Sequence, residues 1–278
     1  MKKSGCIPGI IDFHTHIFPD KIAEKTISYL SAKADIPPYT DGTEAGLIRA
    51  MTFSDTIASV ALPAITKPTQ LESVNRFAEE VNERNTGRER MIISFAGIHP
   101  MCDDIDGKMK NIAKRGFKGV KIHPDYQGEY IDAPNYIRIL ECAREYGLIV
   151  VTHSGVDAGF PGEPVKCTPE RLRRVLETIP YEKFVLAHYG ALFMWDDVYR
   201  LITDYNVYFD TAYMLSVIPR DMFMKIMNKI GTDKILFATD SPWRDIKEET
   251  EKLKAFSLGE EAERKIFYEN AAKLLGIT

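Results

Sequence analysis

A chain of 278 residues with 45% hydrophobic and 27% charged side chains can bury a large core and lacks the polar bias of a disordered polymer. Its formal net charge of -4 offers no basic stripe to neutralise phosphates, which argues against nucleic acid as a partner. Pro8 arrives before any signal-type apolar stretch, and no later apolar run is long enough to span a bilayer, so a cytoplasmic protein without membrane contact is expected.

Short β-branched or apolar runs alternate with amphipathic stretches along the whole chain, the rhythm of βα units on a parallel sheet. The first run, GIIDFH (9–14), leads into a long connection from 17 to about 55 that holds the turn-rich segment DIPPYTDGTEAG. TIASVALPA (56–64) and MIISFAGI (91–98) follow, separated by the helix pattern LESVNRFAEEVNERN. GFKGVKIH (116–123), GLIVVTH (147–153), KFVLAH (183–188), NVYFD (206–210) and KILFATD (234–240) complete the set. YIRILECAREYG and PERLRRVLETIP lie between them, with Gly147 just past one helix end and Pro169 at the start of the next. EEAERKIFYENAAKLLG reads as a closing helix. Eight strands are the number that closes a (β/α)8 TIM barrel, and no linker divides the chain, so one α/β barrel domain over 1–278 is predicted. The loop VDAGFPGEPVKC after the fifth run and the long first connection are expected to shape the mouth.

Cys6, Cys102, Cys142 and Cys167 form no C-x-x-C pair and are read as reduced, non-catalytic thiols. The six histidines are distributed differently: His14, His16, His99, His123, His153 and His188 all fall at the carboxyl ends of predicted strands. In a barrel those ends converge on the active site. His14 and His16 are two apart and share one strand face, so both can reach one ion. A lone H-x-H is more often a pair of ordinary histidines. Here His153 and Asp240 support the metal reading, because three imidazoles and one carboxylate satisfy a zinc-like ion and leave a place for water. Lys121, two before His123, points inward with it and needs a partner such as Asp12 or Asp240. His99 and His123, each followed by proline, are expected to line the wall. Tyr126, Tyr189, Tyr213, Trp243 and Arg244 follow strand ends and are substrate-binding candidates, with ordinary packing the bland reading for each aromatic. Arg244 is placed to bind a carboxylate. Asp12 reads as a floor residue, and Asp210 has no assigned duty.

IDFHTH, GIHP, GVKIHP, VTHSG, LAHYG, NVYFD and FATDSPW occur in the order and at the strand positions of the amidohydrolase superfamily. The chain most resembles its amidohydrolase family 2 branch, from Ile11 to the helix after Trp243. The resemblance implies His14, His16, His153 and Asp240 as ligands of one divalent metal ion. Zinc is expected first, with manganese, iron, nickel or cobalt compatible with the same donors. It makes His188 the group that orients or deprotonates the water, and Asp240 its partner in proton handling. In the binuclear variant, His188 and a carbamylated Lys121 would enter a second ion's ligand set, with His123 beside them. GVKIHP looks more like the mononuclear branch.

The implied reaction is hydrolysis of a small-molecule amide, lactone or similar C–N or C–O bond by metal-activated water, whose pKa falls from about 15.7 towards about 7. The alternative is a metal-dependent decarboxylase of an aromatic or unsaturated carboxylate. Such relatives tend to be longer, so a compact chain favours hydrolysis. A TatD-like nuclease would carry a glutamate on the fourth strand, where Lys121 and His123 stand. A barrel that only binds would not need an intact ligand set with an open position. Relatives are often homodimers, and a homodimer is expected here.

Overall fold

In the computed structural model, which describes residues 9–277, each of the eight apolar runs forms a strand. These are β1 (Ile10–Thr15), β2 (Thr56–Ala61), β3 (Met91–Ser94, continued by Ala96–Gly97), β4 (Gly119–Ile122), β5 (Ile149–Thr152), β6 (Phe184–Leu186), β7 (Tyr208–Asp210) and β8 (Ile235–Leu236). Every neighbouring pair from β1 to β8 is parallel. The break in β3 at Phe95 is bridged by its amide, which donates to the Ala61 carbonyl at 2.9 Å. Closure comes from β1: Phe13 N donates to Phe237 O at 2.9 Å, Asp240 N donates to His14 O at 2.9 Å, and Thr15 bridges Ser241. The fold is a (β/α)8 barrel.

Residues alternate between two apolar layers, as the strand period of two requires. Val120, Val150, Leu186 and Phe209 join the cluster beneath the outer helices, while Ile149, Val151, Val185 and Leu236 join a second cluster. Burying each such side chain contributes about 1.5–3 kcal/mol. Ile149 and Val151 share their strand face with His153, so this alternation delivers the imidazole to the barrel mouth.

The helices obey their end signals. Thr168 caps Pro169–Thr178 by accepting a hydrogen bond from Arg171 N, and Pro169 takes the first helical position. Gly147, at φ 67°, ends Pro134–Tyr146 in the left-handed conformation that glycine adopts at no steric cost. The long first connection is not one loop: it holds helices Asp20–Ala34 and Glu44–Thr52, the second capped by Thr43. Its turn-rich segment supplies only the corner between them. Among the described residues no helix is long and apolar enough to cross a membrane. Cys102, Cys142 and Cys167 are free thiols, whose pKa values burial raises. Cys6 lies outside the described residues.

Candidate metal centre and its rim

β1 delivers His14 and His16 to the barrel mouth beside Asp240, which follows β8. A ligand atom from each of the three lies within 4.8 Å of the others. Their hydrogen bonds decide what those atoms are. His16 Nδ1 lies 2.8 Å from the Leu62 carbonyl, which can only accept, so Nδ1 carries the proton and Nε2 a lone pair. His14 Nδ1 lies 2.8 Å from Asp210 Oδ2 and is assigned as donor in the same way, leaving its Nε2 a lone pair. Both Nε2 atoms face Asp240 Oδ1, at 3.1 Å from His16 and 3.4 Å from His14. Three electron pairs therefore converge, that of His14 also facing the Lys121 Nζ at 3.2 Å, and these donor types suit a divalent cation.

A second group stands at the ends of β4 and β5: His123, His153 and Asp157 also place ligand atoms within 4.8 Å of one another. The four expected ligands are thus not one tight set. His153 stacks on His123 with centroids 4.2 Å apart and planes at 5°, which turns its Nε2 towards Asp157 Oδ2 at 3.9 Å. A chain of hydrogen bonds fixes its state. His188 Nδ1 donates to the Ala212 carbonyl at 2.9 Å, so His188 Nε2 accepts from His153 Nδ1 at 2.9 Å. The proton on His153 is then on Nδ1, and Nε2 is a buried lone pair without a partner. Burial holds His14 and His153 well below the ordinary imidazole range and pushes His188 down to about 4. All three are neutral at pH 7, the state in which imidazole binds a metal.

Asp210, unassigned in the sequence, receives His188 N at 2.9 Å and Ala212 N at 3.1 Å on the oxygen not used by His14. It orients two histidines at once. Burial raises its pKa to about 7. Lys121 does not pair with Asp12 or Asp240 as expected. Its Nζ lies 3.2 Å from His14 Nε2, and burial lowers its pKa to about 8 against the pull of Asp210 and Asp240. Asp12 is engaged elsewhere, accepting from the Thr239 hydroxyl at 2.6 Å and its amide at 3.0 Å.

The remaining candidates separate into rim and core. Tyr126 sets its ring edge-on to His123 at 4.7 Å and meets Phe160 at 4.8 Å, while Lys33 caps Phe160 at 3.5 Å. The Arg244 guanidinium stacks on Tyr213 at 3.8 Å, and its Nε is buried without a partner. Trp243 turns the chain there, its amide donating to Asp240 O at 2.8 Å. His99 is buried, takes the Met101 amide on Nδ1 at 3.1 Å, and joins neither ligand group. Tyr189 is no pocket residue. His188 and Tyr189 both have φ of 59°, and this reversal packs the Tyr189 ring against Phe223 at 4.8 Å in the core.

Asp157, Phe160 and Lys33 were missed by the sequence. Asp157 sits four residues past His153, and its Oδ1 accepts from Gly159 N at 2.7 Å. A D-x-G turn directly after a strand-end histidine was the one available signal.

A dihydroxybenzoic acid decarboxylase from a Polaromonas species, with bound manganese and the inhibitor 2-nitroresorcinol, has a similar structure: TM-score 0.72 at 16% identity, covering 96% of this chain and 97% of that one. A 5-carboxyvanillate decarboxylase from Novosphingobium aromaticivorans, complexed with manganese and 4-hydroxy-3-methoxy-5-nitrobenzoic acid, gives 0.71 at 14% identity and 96% of each chain. An uncharacterized TIM-barrel protein from Bordetella bronchiseptica gives 0.76 at 18% identity, with 96% and 98% covered. At such identities the likeness speaks for the fold. It also removes the argument from length, because this chain spans nearly the whole of both decarboxylases. No curated protein matches the chain. A family model described as Amidohydrolase matches residues 11–277, and with that match the chain belongs to the amidohydrolase family.

Proposed function

We propose that the whole chain is one catalytic domain, a metal-dependent decarboxylase that removes carbon dioxide from a small hydroxylated aromatic carboxylate. The observation that carries this reading is Arg244. Its guanidinium lies over Tyr213 with a buried, unpartnered Nε on the segment four residues beyond Asp240, and we assign it the substrate's carboxylate. The two decarboxylases of similar structure, each holding manganese and an aromatic ligand, support it.

His14 Nε2, His16 Nε2 and an Asp240 oxygen fit a divalent ion, with His153 Nε2 the neighbouring lone pair available to it. Nitrogen and carboxylate donors of this kind accept manganese as readily as zinc. One ion is read here because His14, His16 and Asp240 form one tight set, whereas in the second group His123 Nε2 is engaged with Asp157 Oδ2 at 3.3 Å. Bound there, the ion would supply positive charge that holds the substrate's anionic oxygens.

The chain's own residues do the rest. Arg244 binds the carboxylate, and Tyr126, Phe160 and Tyr213 wall the ring. Asp240 and His188 manage the one proton that the reaction consumes. It is added to the ring carbon bearing the carboxylate, the carbon–carbon bond breaks, its electron pair returns to the ring, and carbon dioxide leaves.

A second reading, hydrolysis, rests on His188. With Nδ1 held by the Ala212 carbonyl, it presents Nε2, which His153 Nδ1 shares in this structure, as the atom that would take a proton from water. The test is to load the protein with manganese or zinc and measure carbon dioxide release from 2,6-dihydroxybenzoate and 5-carboxyvanillate, beside acid release from a panel of lactones and amides. Carbon dioxide release supports the decarboxylase. Ring or amide opening with no carbon dioxide from any carboxylate overturns it in favour of the hydrolase.

A further inference from the structure

Asp157 stands at the rim in a position that its structural duties do not explain. Gly155 begins its loop at φ 85°, where a β-carbon would lie 2.0 Å from Leu192 N, so only glycine permits this approach. Gly155 N donates to Cys167 O at 2.9 Å and Val156 N to Leu192 O at 3.0 Å, which anchors the loop at both sides. Asp157 Oδ1 is used within the loop by Gly159 N. Its Oδ2 is directed to the site, 3.3 Å from His123 Nε2 and 3.9 Å from the lone pair on His153 Nε2. One long imidazole contact leaves this oxygen able to accept another hydrogen bond. Burial pushes the Asp157 pKa up, but hydrogen bonds from His123 and the Gly159 amide outweigh it and keep the carboxylate below its usual range.

The surroundings say what kind of group would meet that oxygen. The Tyr126 and Phe160 rings form an apolar wall beside it, and a β-carbon on Gly159 would sit 3.0 Å from both Asp157 Oδ1 and the Tyr126 hydroxyl. The wall is therefore kept close to the carboxylate. A second anion would be repelled. A second cation, although the donor types would suit one, would compete with the proton that His123 Nε2 donates to this same oxygen. A neutral donor on a flat ring satisfies both the wall and the oxygen.

We propose that Asp157, braced by His123, is a specificity-determining residue that accepts a hydrogen bond from a ring hydroxyl of the substrate. The inference deepens the decarboxylase reading and rests on it for the ring carboxylate: it selects substrates with a second hydroxyl over those with one. A site built to bond a hydroxyl discriminates strongly against the analogue without it, because the buried acceptor is then left unpaired.

The experiment is calorimetric binding of 2-nitroresorcinol and of 2-nitrophenol, which has one hydroxyl fewer, to the manganese-loaded protein. Wild type, Asp157→Asn and Asp157→Ala are compared, with metal content per chain measured for each. The expected result is a preference of about tenfold or more for 2-nitroresorcinol in wild type, falling to within about threefold in Asp157→Ala. Asp157→Asn, which keeps an acceptor oxygen without the charge, should lie between them. All three proteins should hold the same metal.

An unchanged preference in Asp157→Ala overturns the proposal, as does failure of wild type to bind either ligand. Loss of an ion in the variants overturns it too and makes Asp157 a metal ligand. The two readings fail separately. Carbon dioxide release with an unchanged preference sinks the role of Asp157 alone, and a lost preference without carbon dioxide release sinks the decarboxylase alone.

Discussion

The two groups of ligand atoms at this mouth use the same side chains in different ways. In the group of His14, His16 and Asp240, His14 lies in β1 and His16 follows it directly, and their outer nitrogens are tied to Asp210 and Leu62. The Asp240 backbone is tied to β1 through the His14 carbonyl. Such donors cannot turn away from one another. In the group of His123, His153 and Asp157, the carboxylate rides on a loop and the imidazoles stack. The rigid group suits an ion, whose ligands must be fixed to a few tenths of an ångström. The loop-borne group suits substrate choice, because loops vary without disturbing the barrel.

Substitutions can break or sharpen this contrast. The largest effect is expected from Asp240→Asn, which keeps the volume and removes the charge and the proton carrier. Turnover should fall by about 10³, within the range of general acid–base contributions. Steady-state assays that found activity within tenfold of wild type would move the proton role to another residue. Asp210→Asn comes next. It contacts no ion in this account but orients His14, so metal affinity measured by chelator competition should drop by about 10–100-fold. An unchanged affinity would mean that β1 alone fixes the imidazole.

Arg244→Ala should act on binding more than on chemistry. A charged hydrogen bond contributes about 1.5–3 kcal/mol, so KM is expected to rise roughly 10–100-fold with kcat changed much less. A fall in kcat with constant KM would contradict a seat for the carboxylate. The last effect concerns stability and not activity. Burial raises the pKa of Asp12 to about 7 in the folded chain, from an ordinary value of 3.8. The folded state therefore holds the proton more tightly between those values. The contribution of Asp12 is fully present below about pH 4 and is lost as pH rises towards 7, with a slope of at most about 1.4 kcal/mol per pH unit. Urea denaturation of metal-stripped protein between pH 4 and 8 should show a shallower decline in Asp12→Asn than in wild type. Parallel curves would place the buried proton elsewhere.

How much of this was legible follows from where each residue sits. β-branched runs announced all eight strands, because a parallel barrel strand is buried on both faces and reads as one apolar block. The strands are shorter than the runs, since residues such as Thr239 and Asp240 leave the ladder to form the mouth. H-x-H on a strand carries its geometry in its spacing, so His14 and His16 could be paired in advance. The direction of a ring could not. His153 turns to His123, and Tyr189 turns into the core through two left-handed residues that have no glycine to announce them. Asp157 depends on an anchored loop, and its reach to His123 follows from contacts with Cys167 and Leu192 that no local pattern encodes. The helices at 20–34 and 44–52 were hidden for another reason: few of their residues are buried, so the apolar periodicity that marks a packed helix is weak.

The central claim is one divalent ion held at the mouth by the rigid group. Elemental mass spectrometry of untagged protein supplied with manganese and zinc tests it most directly, beside the His14→Ala, His16→Ala double variant. The account predicts about one ion per chain, lost in the double variant. Two ions per chain, or none, would contradict it.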